Sequence, residues 1–173
     1  ERAVQRLDVL LLAVCTALRI DLRGYRSTLF RKPGLDHGVM PDLTYYVRNA
    51  PAVRGVRGKI DLTAHPPPDL AVEVIVTHGV ELALEVCREL GVPELWTYDV
   101  VEGRMTFRHR RRSGARAGAY VERERSLAFP FLRAADLPPW LEDTDAADNA
   151  EFVRMQRWAR TTLAPRRKPG GRP

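Results

Sequence analysis

Residues 69–76, DLAVEVIV, constrain the fold of this chain more than any other stretch. In an extended strand Leu70, Val72, Val74 and Val76 share one face while Asp69, Ala71, Glu73 and Ile75 share the other, because side chains alternate. Both faces are largely apolar, so this strand is predicted to lie at the centre of a sheet.

The segments around it fit that placement. Thr77 is expected to cap a helix in which Val80, Ala83, Leu84, Cys87 and Leu90 form the apolar stripe and Glu81, Glu85, Arg88 and Glu89 point outward. Gly91 ends that helix, and ELWTYDV follows closely enough to complete a βαβ crossover. RMTFRHRRR and GAYVERER read as an antiparallel pair around a glycine-bearing turn, which makes the sheet mixed. Upstream, residues 1–19 carry apolar positions at three- and four-residue spacing, the pattern of an amphipathic helix. Segment 22–31 has strand composition, DLTYYVRN opens a second short strand near Asp42, and residues 50–68 form a connection ending in three prolines. SLAFPFLRAADLPPWL is a closing segment and NAEFVRMQRWARTTL a last amphipathic helix. The expectation is a single α/β (α+β) domain over residues 1–163, with a basic, disordered tail over 164–173.

No apolar run reaches the ~20 residues of a membrane span, and the N-terminal segment lacks a signal-peptide layout, so a soluble, cytoplasmic protein is expected. The first residue is Glu1 rather than Met, which leaves a preceding segment open. Cys15 and Cys87 fall in helical patterns and read as buried thiols. The net charge of +6 comes from 25 Arg and only 3 Lys, a bias that genome composition also explains, so it raises the case for a polyanionic partner only modestly.

A carboxylate within an apolar central strand is costly to bury, so Glu73 needs a cation, a metal or hydrogen-bond donors, or it must stay protonated. Asp42, just after Pro41 at the opening of a strand that can pair beside it, would give two carboxylates on neighbouring strands. Hard oxygen donors of that kind suit Mg²⁺, with water and substrate phosphate completing the shell. The alternative stays open at this level: Pro-Asp simply starts a strand and Glu73 pairs with an arginine. Arg108, Arg110, Arg111, Arg112 and Arg116 near a hairpin tip can grip phosphates or form a solvated turn. His37, His65, His78 and His109 show no zinc-site spacing, and Trp96, Tyr45 and Tyr46 read as sheet-packing aromatics. There is no phosphate-binding loop, dinucleotide fingerprint or nucleophile elbow.

The stretches GVMPDLTYYVRN, IDLTAHPPPDLAVEVIVTHG, LGVPELWTYD and SLAFPFLRAADL, in that order, resemble the Uma-two (Uma2) family of restriction endonuclease-like proteins. That family is a branch of the PD-(D/E)XK nuclease-like superfamily, and the resemblance runs from about Glu1 to about Leu163. It implies a restriction-endonuclease-like αβββαβ core with C-terminal additions. It also implies hydrolysis of DNA phosphodiester bonds with Mg²⁺, or Mn²⁺ in its place. Asp42 then matches the aspartate of the family's Pro-Asp motif and Glu73 its strand glutamate, as catalytic metal ligands. Ile75 stands where many relatives have an acidic residue and would offer only its backbone carbonyl to the metal. Glu1 matches a helix glutamate that sometimes assists.

Two departures bear on activity. Relatives carry a lysine four residues before the position of Cys87, where this chain has Ala83, and an acidic residue before Pro-Asp, where it has Met40. The lysine orients or deprotonates the attacking water and stabilises transition-state charge, and losing one such group costs ~10² to 10³ in rate. Arg88 lies about 140° around the helix from Ala83 and does not replace it. Lys59 and Arg57, on the preceding connection, are within reach as nucleic-acid contacts, as are Arg110 and Arg111. Two functions therefore stand: a metal-dependent DNA endonuclease, or a catalytically inactive relative that binds nucleic acid or a protein partner. A homodimer is left open.

Overall fold

The computed structural model describes residues 1–26, 30–31, 41–56, 60–76, 79–142 and 146–167. Helix α1 (Arg2–Leu18) is followed by strands β1 (Arg23–Arg26), β2 (Phe30–Arg31), β3 (Leu43–Tyr46), β4 (Ile60–Asp61) and β5 (Leu70–Ile75). Helix α2 (Glu81–Leu90), strands β6 (Glu94–Asp99), β7 (Arg104–Arg110) and β8 (Tyr120–Arg123), and helix α3 (Asp148–Trp158) complete the described elements.

Strand β5 is central, as its two apolar faces require. The main sheet runs β1-β3-β5-β6-β7-β8, with β5 and β6 parallel through α2 and all other neighbours antiparallel. Alternation along β5 sends Leu70 and Val72 into the core under α1 and α3, and Ala71 into the core under α2. The first core is built around Trp96, stacked on Phe107 with ring centroids 4.3 Å apart and meeting Phe129 edge-on. Tyr45 and Tyr46 are also buried, and Cys15 and Cys87 are free buried thiols. Among the described residues no helix is long and apolar enough to cross a membrane.

Local details differ from the sequence expectations. The single strand expected over 22–31 is two: β1 joins the main sheet, whereas β2 pairs parallel with β4 and buries Phe30 in the α2-side core. The connection 50–68 contains the β4 strand and a 3₁₀ turn at Ala50–Val53. Helix α2 begins at Glu81 with Val80 at the cap position, whereas Thr77, the expected cap, lies outside the described residues; Val86 joins Cys87 and Leu90 on the buried stripe while Ala83 and Leu84 are half-buried. Gly91 ends α2 in the left-handed region at φ 79°, where glycine has no side-chain penalty. Beyond α3 the chain widens into a π turn at Ala159–Leu163 and a 3₁₀ turn at Ala164–Arg166. Arg166 meets Asp136 at 2.7 Å and Arg167 donates to the Leu18 carbonyl; the expected tail beyond 167 lies outside the described residues.

Candidate active site: two carboxylates across neighbouring strands

In the antiparallel ladder of β3 and β5, Leu43 faces Val72, so one further step sets Asp42 opposite Glu73. The backbone shows which kind of pair this is. The Val74 N–H donates to Asp42 Oδ2 at 2.9 Å, on the β3 side, whereas the Ile75 carbonyl accepts the Val100 N–H at 3.0 Å, on the β6 side. Asp42 and Glu73 therefore occupy a non-hydrogen-bonded position, where opposed side chains approach most closely. Both point to the α2 face, since Glu73 shares its side of β5 with Ala71.

Burial pushes the Glu73 carboxyl up to about 8, helped by the charge of Asp42 and the hydrogen bond between the two side chains. Without a cation the pair thus holds a proton at neutral pH. The Cys87 thiol is also pushed up, by burial first and then by the charge of Glu73, so α2 lies over the glutamate.

The donor chemistry fits a hard divalent cation. Two carboxylates kept together at the expense of a retained proton gain from a dication that displaces it. The backbone adds an oxygen: continuing the register places Pro41 opposite Val74, and proline has no N–H to give to the Val74 carbonyl. That oxygen lies on the Asp42 side, whereas the carbonyl of Ile75, the residue expected from the sequence, is turned toward β6. Among the described residues no cluster of three or more His, Cys, Asp or Glu side chains gathers at one point. The donors these residues could offer a cation are the Asp42 and Glu73 carboxylates and one backbone oxygen.

Ala83 lies one helical turn before Cys87, on the face of α2 that covers Glu73. A lysine there would face the carboxylates; the methyl group leaves that place uncharged. Arg88 is exposed, as helix geometry predicts. Met40, Arg57, Lys59 and His78 lie outside the described residues. Glu1 lines a cleft between α1 and α3, the helices that cover the other face of the sheet. Arg110 lines a cleft at the entry to β5, and Arg111 is exposed in the turn after β7.

The structure also reveals three roles that sequence reasoning missed. Arg108 donates to the Thr97 hydroxyl at 2.5 Å, and Thr97 is the register neighbour of Glu73 on β6. Its guanidinium, also 3.0 Å from Glu122, brings a positive charge within one strand of the carboxylate pair. Strand alternation put Leu95, Thr97 and Glu73 on one face and could have flagged it once the β6–β7 register was known. Glu94 and Asp69, both buried, are structural: Glu94 accepts Trp96 Nε1 at 2.8 Å, Ser126 Oγ at 3.1 Å, and the N–H groups of Leu127 and Ala128 at 2.9 and 2.7 Å. Asp69 accepts the Val47 and Asn49 N–H groups, each at 2.8 Å, and Asn49 Nδ2. The PPPDL and GVPE-Leu-Trp motifs therefore tie β5 to β3 and β6 to the closing segment.

A mixed sheet with α2 crossing between its parallel strands is a restriction-endonuclease-like fold. The chain belongs to the Uma2 family: residues 1–143 match the family described as "Putative restriction endonuclease". A solved structure titled as that of "a putative nuclease belonging to DUF820 from Anabaena variabilis ATCC 29413" superposes with a TM-score of 0.51 at 17% identity, covering 81% of this chain and 80% of that one. No curated protein matches significantly.

Proposed function

We propose that this chain is a metal-dependent endonuclease that hydrolyses DNA phosphodiester bonds at Asp42 and Glu73. The observation that carries this reading is the pairing of the two carboxylates at a non-hydrogen-bonded strand position, with Glu73 pushed up to about 8 by burial and by Asp42. Mg²⁺, or Mn²⁺, held there would polarise the phosphate and neutralise developing charge. Asp42 is fixed by the Val74 N–H and shares a side-chain hydrogen bond with the Glu73 carboxyl. On loading, Glu73 would give up its proton and serve as a second anionic donor. At the other end of the central strands the β7–β8 turn presents Arg111 and Arg116 to solvent, where they would contact the DNA backbone away from the pair.

Ala83 supports a second reading, in which the chain binds nucleic acid or a protein partner without cutting. Cleavage of plasmid and single-stranded DNA with Mg²⁺ and with Mn²⁺ separates the two. Cutting by the native chain that disappears in Asp42→Asn and Glu73→Gln supports the nuclease. Cutting only by Ala83→Lys supports the silent relative.

A further inference from the structure

A cleft of about 540 Å³ opens at the other end of the central strands from the carboxylate pair. It lies where β3 and β7 end, β5 and β6 begin and α2 exits. Asp69, on its wall, is four residues before Glu73, about 13 Å along the strand. Arg48, Arg110 and Arg112 line it. Among the described residues none of these three guanidinium groups pairs with a carboxylate, and Arg110 Nε is buried without any hydrogen-bond partner. Three unpaired guanidinium groups around one concavity repel one another, and a bound anion removes that cost while satisfying the buried N–H.

The remaining wall narrows the chemistry. Pro67, Pro93 and Leu127 give an apolar side to the cleft, so a ligand with a flat or apolar body beside its anionic group fits better than a bare ion. His109 also lines it; its Nε2 stands 3.5 Å from Glu94 Oε1 and makes no hydrogen bond, leaving a donor or acceptor available. The one acidic side chain on the wall, Asp69, already has both oxygens occupied by N–H groups from Val47 and Asn49, which spreads its charge into the backbone. The volume lies within the ~300 to 1,000 Å³ typical of small-ligand sites and is too confined for a duplex.

We propose that this cleft binds a phosphate monoester of nucleotide size, its phosphate held by Arg48, Arg110 and Arg112 and its base or sugar against the proline and leucine wall. The ligand is either a free nucleotide or the phosphorylated end of a single strand. Recognition here is independent of the Asp42–Glu73 pair.

Calorimetric titration with adenosine 5′-monophosphate, adenosine, and a short oligodeoxythymidylate bearing a 5′-phosphate or a 5′-hydroxyl tests this. The expected result is saturable binding that requires the phosphate, weakens with salt, and falls about tenfold or more in Arg48→Gln or Arg112→Gln. Both of those side chains are exposed, so neither change threatens the fold. Arg110→Gln should lose binding while Arg110→Lys retains part of it. Preference for the mononucleotide identifies a free ligand, and preference for the 5′-phosphorylated strand identifies a strand end; either supports the site. Asp42→Asn should bind as the native chain does, so a failed nuclease assay leaves this result standing. Equal binding of adenosine and its monophosphate, undiminished binding in the Arg48→Gln, Arg112→Gln double variant, or no saturable binding in the millimolar range overturns the proposal.

Discussion

Asp42 and Glu73 face each other across β3 and β5, and Asp42 is locked there by the Val74 N–H at 2.9 Å. One residue of register slip would carry Glu73 to the opposite face of the sheet, into the core around Trp96. The apolar pattern of β5 thus does more than fill two cores: it sets which face the glutamate takes.

The pair should give stability a distinctive pH dependence. Glu73 titrates near 8 in the folded chain and near 4.5 when its environment is lost. Between those values the folded state binds more protons than the unfolded state, so stability falls as pH rises across the window and levels off above it. Glu73→Gln has no proton to lose. Denaturant unfolding without metal should show the variant gaining on the native chain from about pH 5 to about pH 8. A constant difference between the two across that range would mean that Glu73 is not held protonated.

Metal binding should be coupled to the same proton. Titration with Mg²⁺ or Mn²⁺ should release close to one proton near pH 7 and tighten with rising pH until about pH 8, where Glu73 is already ionised. Asp42→Asn and Glu73→Gln should each remove binding. Unchanged affinity in both variants would place any metal elsewhere.

Much of this was legible in the sequence because it follows from periodicity. The two faces of DLAVEVIV, the α2 stripe and the βαβ step predicted a central β5 and a mixed sheet. What was not legible depended on register between strands distant in sequence. Which backbone oxygen faces Asp42 depends on whether 42/73 is a hydrogen-bonded or a non-hydrogen-bonded position, and no local pattern encodes that. The start of α2 was set later than capping chemistry suggested: the helix begins at Glu81 with Val80, an apolar residue, at the cap position. The role of Arg108 was hidden because its partner Thr97 lies on another strand.

Ala83→Lys tests whether the missing cation limits activity. The position is half-buried on the face of α2 over Glu73, and a lysine stem can run along that apolar surface to bring its ammonium to the carboxylates. DNA cleavage should rise by ~10² to 10³ over the native chain. The added charge should also lower the Glu73 titration from about 8, visible as a shift in the pH profile of metal binding. A profile that stays in place would show that the new side chain does not reach the pair.

Glu94 gives the sharpest stability prediction. It is completely buried, and its two oxygens accept from the Trp96 indole, the Ser126 hydroxyl and two backbone N–H groups of the closing segment. Glu94→Ala strands four donors, three of them in buried bonds, and should cost ~3 to 5 kcal/mol, read as a lower urea midpoint at an unchanged slope. Glu94→Gln keeps the shape but turns one acceptor into a donor aimed at other donors, so it should fall between the native chain and Glu94→Ala. Glu94 follows Pro93 at the entry to β6, far along the sheet from Glu73, so the surviving folded fraction of either variant should bind metal as the native chain does. Midpoints indistinguishable from native would mean that water reaches those donors and the buried network carries no stability.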